Sequence, residues 1–544
     1  MRKSAKVLCS ILLLILLISV GCSKETSEPK QPQLKLKPGG HLIYGSMQEP
    51  NTLNPLLSDL LATAEVGRLI FSGLVTMNDK NQWIPDLAVE VPTVENGGVS
   101  SDGLTVTYKL RPGITWHDGV EFTAEDVKFT WQFIMNPKVN VVSREGYDRI
   151  AAISTPDKYT VVIMFKEYYA PYLTLFSTIL PRHKLADVDN YNTAHFNRAP
   201  VGTGPFKFKE WRIADAIELD ANPQYFRGKP NLDGITYKII PTAELMLTQI
   251  KAGEVDIAVN VPFAQLEQVR AIDKVRTVIT PSMIWEHLDF NLDNKLFEDV
   301  RVRQAIALAI DRSGMISNVL KNAAVVAVSD QHPSFWAYNA ALQLPPRNLA
   351  AAKELLVQAG YKPGPDTILV KDGRRLAFNL VTTKGNKMRE LVAQTIAQQL
   401  EEMGIAVEVK LQEAPEFFGQ TLKQRKFDTA LFAWVGGVDP DNYMLWHSSQ
   451  IPSAGNRYQG QNYAGWRNSE VDRLLVEGRK TLDSKQRKQI YDRIQQLIFE
   501  EVPVIPLYFR GNIDAVKTTV VNYKPSPVFA GSLWNAWEWG FAAQ

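Results

Sequence analysis

The stretch 391–412, LVAQTIAQQLEEMGIAVEVKLQ, changes its period at a single residue. Val392, Ile396, Leu400 and Met403 recur at the three-to-four spacing of one helix face. From Ile405 onward, Val407, Val409 and Leu411 alternate with Ala406, Glu408 and Lys410, as in a strand with one apolar face. Gly404 stands at the switch, where a helix end favours a residue that tolerates left-handed backbone. A helix, a glycine turn and a strand in immediate succession are the unit of an α/β fold.

The same grammar recurs outward from this stretch. Asn348 can cap a helix carrying Ala352, Leu355, Leu356 and Ala359, and Gly360 stops it. Thr123 can cap one whose inner face is Val127, Trp131 and Ile134, ended by Asn136-Pro137. Ser484 can start a last long helix with Ile490, Ile494 and Leu497, and a strand-like VIPLYF follows Pro503. Leu104, Val106, Tyr108 and Leu110 alternate with polar residues as a half-buried strand, and 159–165, YTVVIMF, reads as its more buried neighbour.

At 544 residues the chain exceeds what one hydrophobic core organises, so at least two lobes are expected. No long linker divides it after residue 40, so the lobes are interleaved, with the chain crossing between them more than once. Apolar residues make up 45% and charged residues 22%, the balance of an ordinary globular protein. Net charge is only +2 and no Lys/Arg stripe stands out, which argues against nucleic acid as a partner.

The N-terminus reads as an address. Arg2, Lys3 and Lys6 precede an almost purely apolar run from Val7 to Val20, too short to span a bilayer comfortably and of signal-peptide length. Gly21-Cys22 closes it in a pattern that resembles a bacterial lipobox, with Ser19 where an aliphatic residue is usual. The resemblance implies removal of residues 1–21 and lipidation of Cys22. A plain secretory signal with an incidental cysteine is the alternative. The following SKETSEPKQPQLKLKP, rich in Lys, Pro and Gln, reads as a flexible leash over 22–38. The expected location is extracytoplasmic, on the outer face of the cytoplasmic membrane or the periplasmic side where there are two membranes.

Chemistry-bearing motifs are sparse. Both cysteines, Cys9 and Cys22, lie in the N-terminal segment, so the body has no disulfide or thiolate chemistry. None of the seven histidines stands three or four residues from another, and no metal site is expected. The sequence lacks a nucleophile elbow, a phosphate-binding loop and a zinc-protease helix, so neither a catalytic group nor a cofactor is assigned. Gly202-Thr203-Gly204-Pro205 reads as a turn into the strand Phe206-Lys207-Phe208, and Asp439-Pro440-Asp441-Asn442 as a turn capping the next helix. The segment 432–466 gathers Phe432, Trp434, Tyr443, Trp446, Tyr458, Tyr463 and Trp466 among glycines and amides. That mixture suits a pocket that both packs and hydrogen-bonds a ligand, and equally a structural aromatic stack under a long loop.

Several motifs in order carry a resemblance. Asn51-Thr52-Leu53-Asn54-Pro55, then LTVTYKLRPGITWHDGVEFTAEDV at 104–127, VGTGPFKFKEW at 201–211, ANPQYFRGKPNLDGITYKIIP at 221–241, GEVDI at 253–257 and FEDVRVRQAIALAIDR at 297–312 follow the order of one family. The chain resembles the dipeptide/oligopeptide-binding receptors of ABC importers, extracellular solute-binding family 5, over nearly all its mature length.

The resemblance implies an α/β, two-lobed, periplasmic-binding-protein-like fold (type II, cluster C) with an extra inserted domain. It places 39–82, 205–290 and 506–544 in lobe one, 83–204 in the insert and 291–505 in lobe two. It implies a non-catalytic monomer that closes on an oligopeptide and hands it to membrane permease subunits. Oligosaccharide or nickel chelate is the alternative cargo, and a membrane-tethered hydrolase the remote one. Trp434 corresponds to a strand end bordering the family's cleft, and Asp59, Tyr147 and Asn386 to segments that approach the ligand. The loop after Trp434 departs from the pattern: Gly436 and Gly437 occupy the place of an acid that pairs with the ligand's amine, leaving Asp439 as the substitute. Tyr443 completes the expected binding set.

Overall fold

The computed structural model describes residues 35–528 and 531–543. The signal segment, Cys22 and most of the leash therefore lie outside the described residues. Leu36–Lys37, which the sequence reading leaves in the leash, is instead a short strand paired antiparallel with Phe541 and Ala542. Its apolar and long aliphatic side chains find an open ladder at the C-terminal end of the chain, a pairing invisible to local sequence.

One sheet of eleven strands runs through both lobes. Two long strands form its middle, Val275–Phe290 and Val504–Lys517, paired antiparallel along most of their length. On the lobe-one side the sheet continues through Ile257–Ala258, His41–Ser46, Gly234–Ile239, Ala216–Ala221 and Phe206–Arg212. On the other it continues through Thr429–Val435, Ala377–Thr383 and Ala406–Gln412, and Ala324–Val326 adds the eleventh strand by pairing with Val504–Lys517. Each long strand thus serves lobe one with one half and lobe two with the other. The expected strand after Pro503 is real but runs to Lys517, because its second half is captured by the other lobe.

The opening stretch folds as read: a helix Lys387–Glu401, Gly404 at φ +75°, and the strand Ala406–Gln412, parallel to Ala377–Thr383. Asn348 caps its helix through Oδ1 on Ala351 N at 3.0 Å. The last helix, Ser484–Glu501, is capped by Asp483, whose Oδ1 accepts from Gln486 N at 2.7 Å. At Gly202 a methyl would lie 1.8 Å from the Ile70 carbonyl oxygen, which explains the glycine at that turn.

Lobe two is built on Phe290, Phe297, Ile306, Leu356, Ile396 and their neighbours, lobe one on Leu42, Tyr44, Val66, Tyr237, Ile257 and Trp539. Full burial of each such side chain contributes about 1.5–3 kcal/mol. A third core spans Leu74 to Ile179 around the antiparallel strands Thr105–Lys109, Thr160–Phe165 and Ile150–Asp157. Within the stretch 83–204, Leu180, Leu185 and Phe196 pack with lobe one instead. The helix Ala124–Met135 joins the two cores, giving Val127 to the third core and Phe129, Phe133 and Ile134 to lobe one.

Candidate binding cleft at the crossing strands

The crossing strands change register where the lobes meet. Val275 to Pro281 pair with Lys517 to Gly511. The ladder then shifts before Trp285 pairs with Phe509. Pro281 has no amide hydrogen to donate to the ladder. Opposite it, a methyl at Gly511 would come 2.5 Å from Ile279 Cγ2 and 2.9 Å from the Ala323 carbonyl oxygen. The sequence thus places a weak rung at the joint of two cores.

A cleft of about 690 Å³ opens there. Asn260 to Ala264 line it from lobe one, and Thr383 to Arg389, Ala414 and Phe418 from lobe two. Ile284 and Arg510 to Ile513 of the crossing strands form its floor. Beneath the floor Glu286 is fully buried. It accepts from Arg389 Nε at 3.0 and 3.1 Å and from Arg510 Nε at 2.7 Å, with Arg510 Nη2 also on Oε1. Arg389 Nη1 donates to Thr383 Oγ1 at 2.8 Å. Arg389 is buried, whereas a quarter of the Arg510 side chain faces solvent. Two guanidiniums share one carboxylate, so the floor carries a net positive charge. Burial, and then the Glu286 charge, push the Tyr508 phenol well above its ordinary range, so it stays neutral beside them.

The expected binding residues separate. Asn386 lies in the cleft wall because it caps the helix Lys387–Glu401, its Oδ1 accepting from Arg389 N at 3.2 Å. Trp434 lies on a neighbouring strand but on the other face of the sheet. Ile284 pairs with Val435 and Trp285 with Trp434, so alternation sends Ile284 and Glu286 to the cleft face and Trp434 away from it. Trp434 is half-buried and stacks on Tyr463 at 5.7 Å, with Phe432 edge-on. Val435 is 73% exposed. Gly436 N donates to Met283 O at 2.8 Å, extending the ladder one rung past the strand.

Asp439 forms a two-point ion pair with Arg487, both bonds 2.7 Å. Asp441 pairs with Arg479 at 2.9 Å, whose guanidinium lies 4.6 Å from the Tyr443 ring centroid, and Tyr443 stacks on His447. The loop 436–443 is therefore clamped by two ion pairs, with Asp439 committed to Arg487. Asp59 is exposed just before the helix Leu61–Ile70. The Tyr147 hydroxyl accepts from Phe176 N at 2.7 Å, its ring meets Phe176 edge-on, and burial pushes its pKa up to about 12. Its polar atom is used inside the fold.

Glu286, Arg389 and Arg510 were not singled out from the sequence. A faint signal existed: Glu286-His287 and Asp289 interrupt the largely apolar stretch 283–290, and Arg510 ends VIPLYF. Charge inside an otherwise buried strand marks a paired site. Among the described residues no group of three or more His, Cys, Asp or Glu could hold a metal ion, and no helix is long and apolar enough to cross a membrane.

Two α/β lobes on a shared pair of crossing strands, with a charge-floored cleft at their weak rung, define a two-lobed solute-binding protein. Residues 82–454 match the family "Bacterial extracellular solute-binding proteins, family 5 Middle". The chain belongs to that family, the extracytoplasmic solute receptors of ABC importers. It is 32% identical over 555 residues to the oligopeptide-binding protein AppA of Bacillus subtilis, covering 99% of each chain. The solved complex of that AppA with a nonapeptide superposes with a TM-score of 0.65 over 94% of this chain and 100% of its own. NikZ from Campylobacter jejuni, solved with Ni(L-His), is 28% identical with a TM-score of 0.67 over 92% of this chain and 99% of its own. Di/tripeptide-binding protein 2 of Pseudomonas aeruginosa is 29% identical over 473 residues, 82% of this chain and 86% of its own.

Proposed function

We propose that this receptor captures oligopeptides in the cleft between its lobes and delivers them unchanged to its membrane permease, tethered by a lipid on Cys22. The observation that carries the peptide reading is the cleft floor, where two guanidiniums face one buried carboxylate. That surplus charge suits the carboxylate every free peptide carries, since Arg recognises carboxylates through paired donors. The exposed strand end at Val435 to Gly437 offers backbone to an extended chain, as in strand addition. A ligand touching both walls favours the closed lobes by its differential contacts, and the weak rung at Pro281 and Gly511 is where they would rotate. The AppA and di/tripeptide relatives support the same cargo by their names.

Mass spectrometry of material released by denaturing the purified protein tests the cargo. A ladder of short peptides is expected. Release of hexoses or of a nickel chelate, with no peptide, would overturn the peptide reading and leave the receptor class intact.

A further inference from the structure

A second cavity, of about 330 Å³, lies within lobe two and shares no lining residue with the cleft. The helices Val300–Ala309, Leu349–Gln358 and Ser484–Glu501 wall it, and the start of the second crossing strand closes it. Leu308, Leu355, Ile498, Phe499 and Ile505 make most of that wall apolar. Its size lies at the small end of the range for small-molecule sites, about 300–1,000 Å³.

One buried charge stands in this wall. Arg312 is 8% exposed. Its Nη1 donates to the Pro506 carbonyl at 3.1 Å and its Nη2 to that of Ala307 at 3.4 Å, while Nε is buried without a partner. No acidic side chain pairs with it among the described residues. Burial alone pushes its pKa down to about 10. Glu500, at the edge of the cavity, is engaged by Gln496. Arg303, at 6% exposure on the neighbouring helix, shows what a purely structural buried arginine looks like here: all three of its nitrogens donate to backbone carbonyls, five bonds in all. Arg312 has two such bonds and lies in the wall of the apolar cavity.

We propose that this cavity binds a medium-chain fatty-acid anion, its carboxylate against Arg312 and its alkyl chain along the apolar wall. A neutral apolar guest would fill the space and leave the buried cation uncompensated. A small inorganic anion would meet the cation and leave the apolar wall unfilled. Only an amphipathic anion answers both features.

Sodium octanoate and 1-octanol, titrated calorimetrically into the full chain, test this. Octanoate is expected to bind one saturable site at least tenfold more tightly than octanol. Arg312→Gln and Ala307→Phe, the second filling the cavity with the cation retained, should each weaken octanoate at least tenfold. Equal binding of octanoate and octanol would overturn the proposal. So would unchanged octanoate affinity in a folded Ala307→Phe protein, or no saturable binding below the micelle-forming concentration. The comparison of the two ligands on the unmodified chain stands even where neither variant folds.

Discussion

Glu286 sits without solvent contact between Arg389 and Arg510, so its loss is felt through the partners it leaves behind. Glu286→Gln removes the carboxylate that Arg389 and Arg510 share. Breaking a buried pair in this way costs about 3–5 kcal/mol, and urea unfolding should show a loss of that size. A loss within about 0.5 kcal/mol, the range of ordinary surface changes, would contradict a buried pairing of Glu286 with the two arginines. A second residue-scale prediction concerns pH. In lobe one burial raises Glu65 to about 7, although the Tyr237 and Tyr44 hydroxyls donate to it, and raises Asp514 to about 6. A carboxyl whose folded pKa lies above its unfolded value binds its proton more tightly when folded. Its stabilising contribution is complete below the unfolded value and is lost as pH rises through the folded one. Thermal stability should therefore carry a component that declines between about pH 4.5 and 7, and Glu65→Gln should flatten that decline. An unaltered pH profile in the variant would show that Glu65 does not titrate there.

At the scale of elements, local chemistry wrote most boundaries. Asn348, Gly360 and Gly404 end or begin the helices they were expected to, because capping needs only neighbouring backbone. The last helix starts at Ser484 as expected, and its cap on Asp483 yields a test. Asp483→Ala should cost about 1 kcal/mol, whereas Ser484→Ala should stay within about 0.5 kcal/mol, measured by denaturant midpoints. The reverse order would place the helix start one residue later. Trp434 shows where element-level reading falls short. Its place near the end of a strand was legible, and so was its company of aromatics. The sheet face it takes depends on register with Trp285, a residue 149 positions earlier, and a strand's two faces are equivalent until a partner fixes them.

At the scale of the molecule, the receptor is two lobes on one sheet with a third core beside lobe one, and a lipid is proposed on Cys22. Cys22→Ser should move the protein from the membrane fraction to the medium with an unchanged unfolding midpoint, because Cys22 precedes every described contact of the body. Retention of the variant on membranes would point to another anchor. Asp439 illustrates how the whole fold redirects a residue. As the acid nearest the two glycines it was expected to meet a ligand amine, yet the helix Ser484–Glu501 brings Arg487 to it in a two-point pair. Tyr147 is redirected likewise, its hydroxyl turned onto Phe176 where the third core meets lobe one.

The order of motifs, the helix–glycine–strand punctuation and the absence of a dividing linker together determined the family and the α/β class of interleaved lobes. Those features are local, and local sterics and hydrophobic periodicity suffice to express them. The charged floor of the cleft, the face Trp434 takes, the occupation of Asp439 and the lone buried Arg312 were decided only by tertiary structure. Each depends on groups brought together from distant parts of the chain, and a sequence does not state which of its charges will meet once water has been excluded from between them.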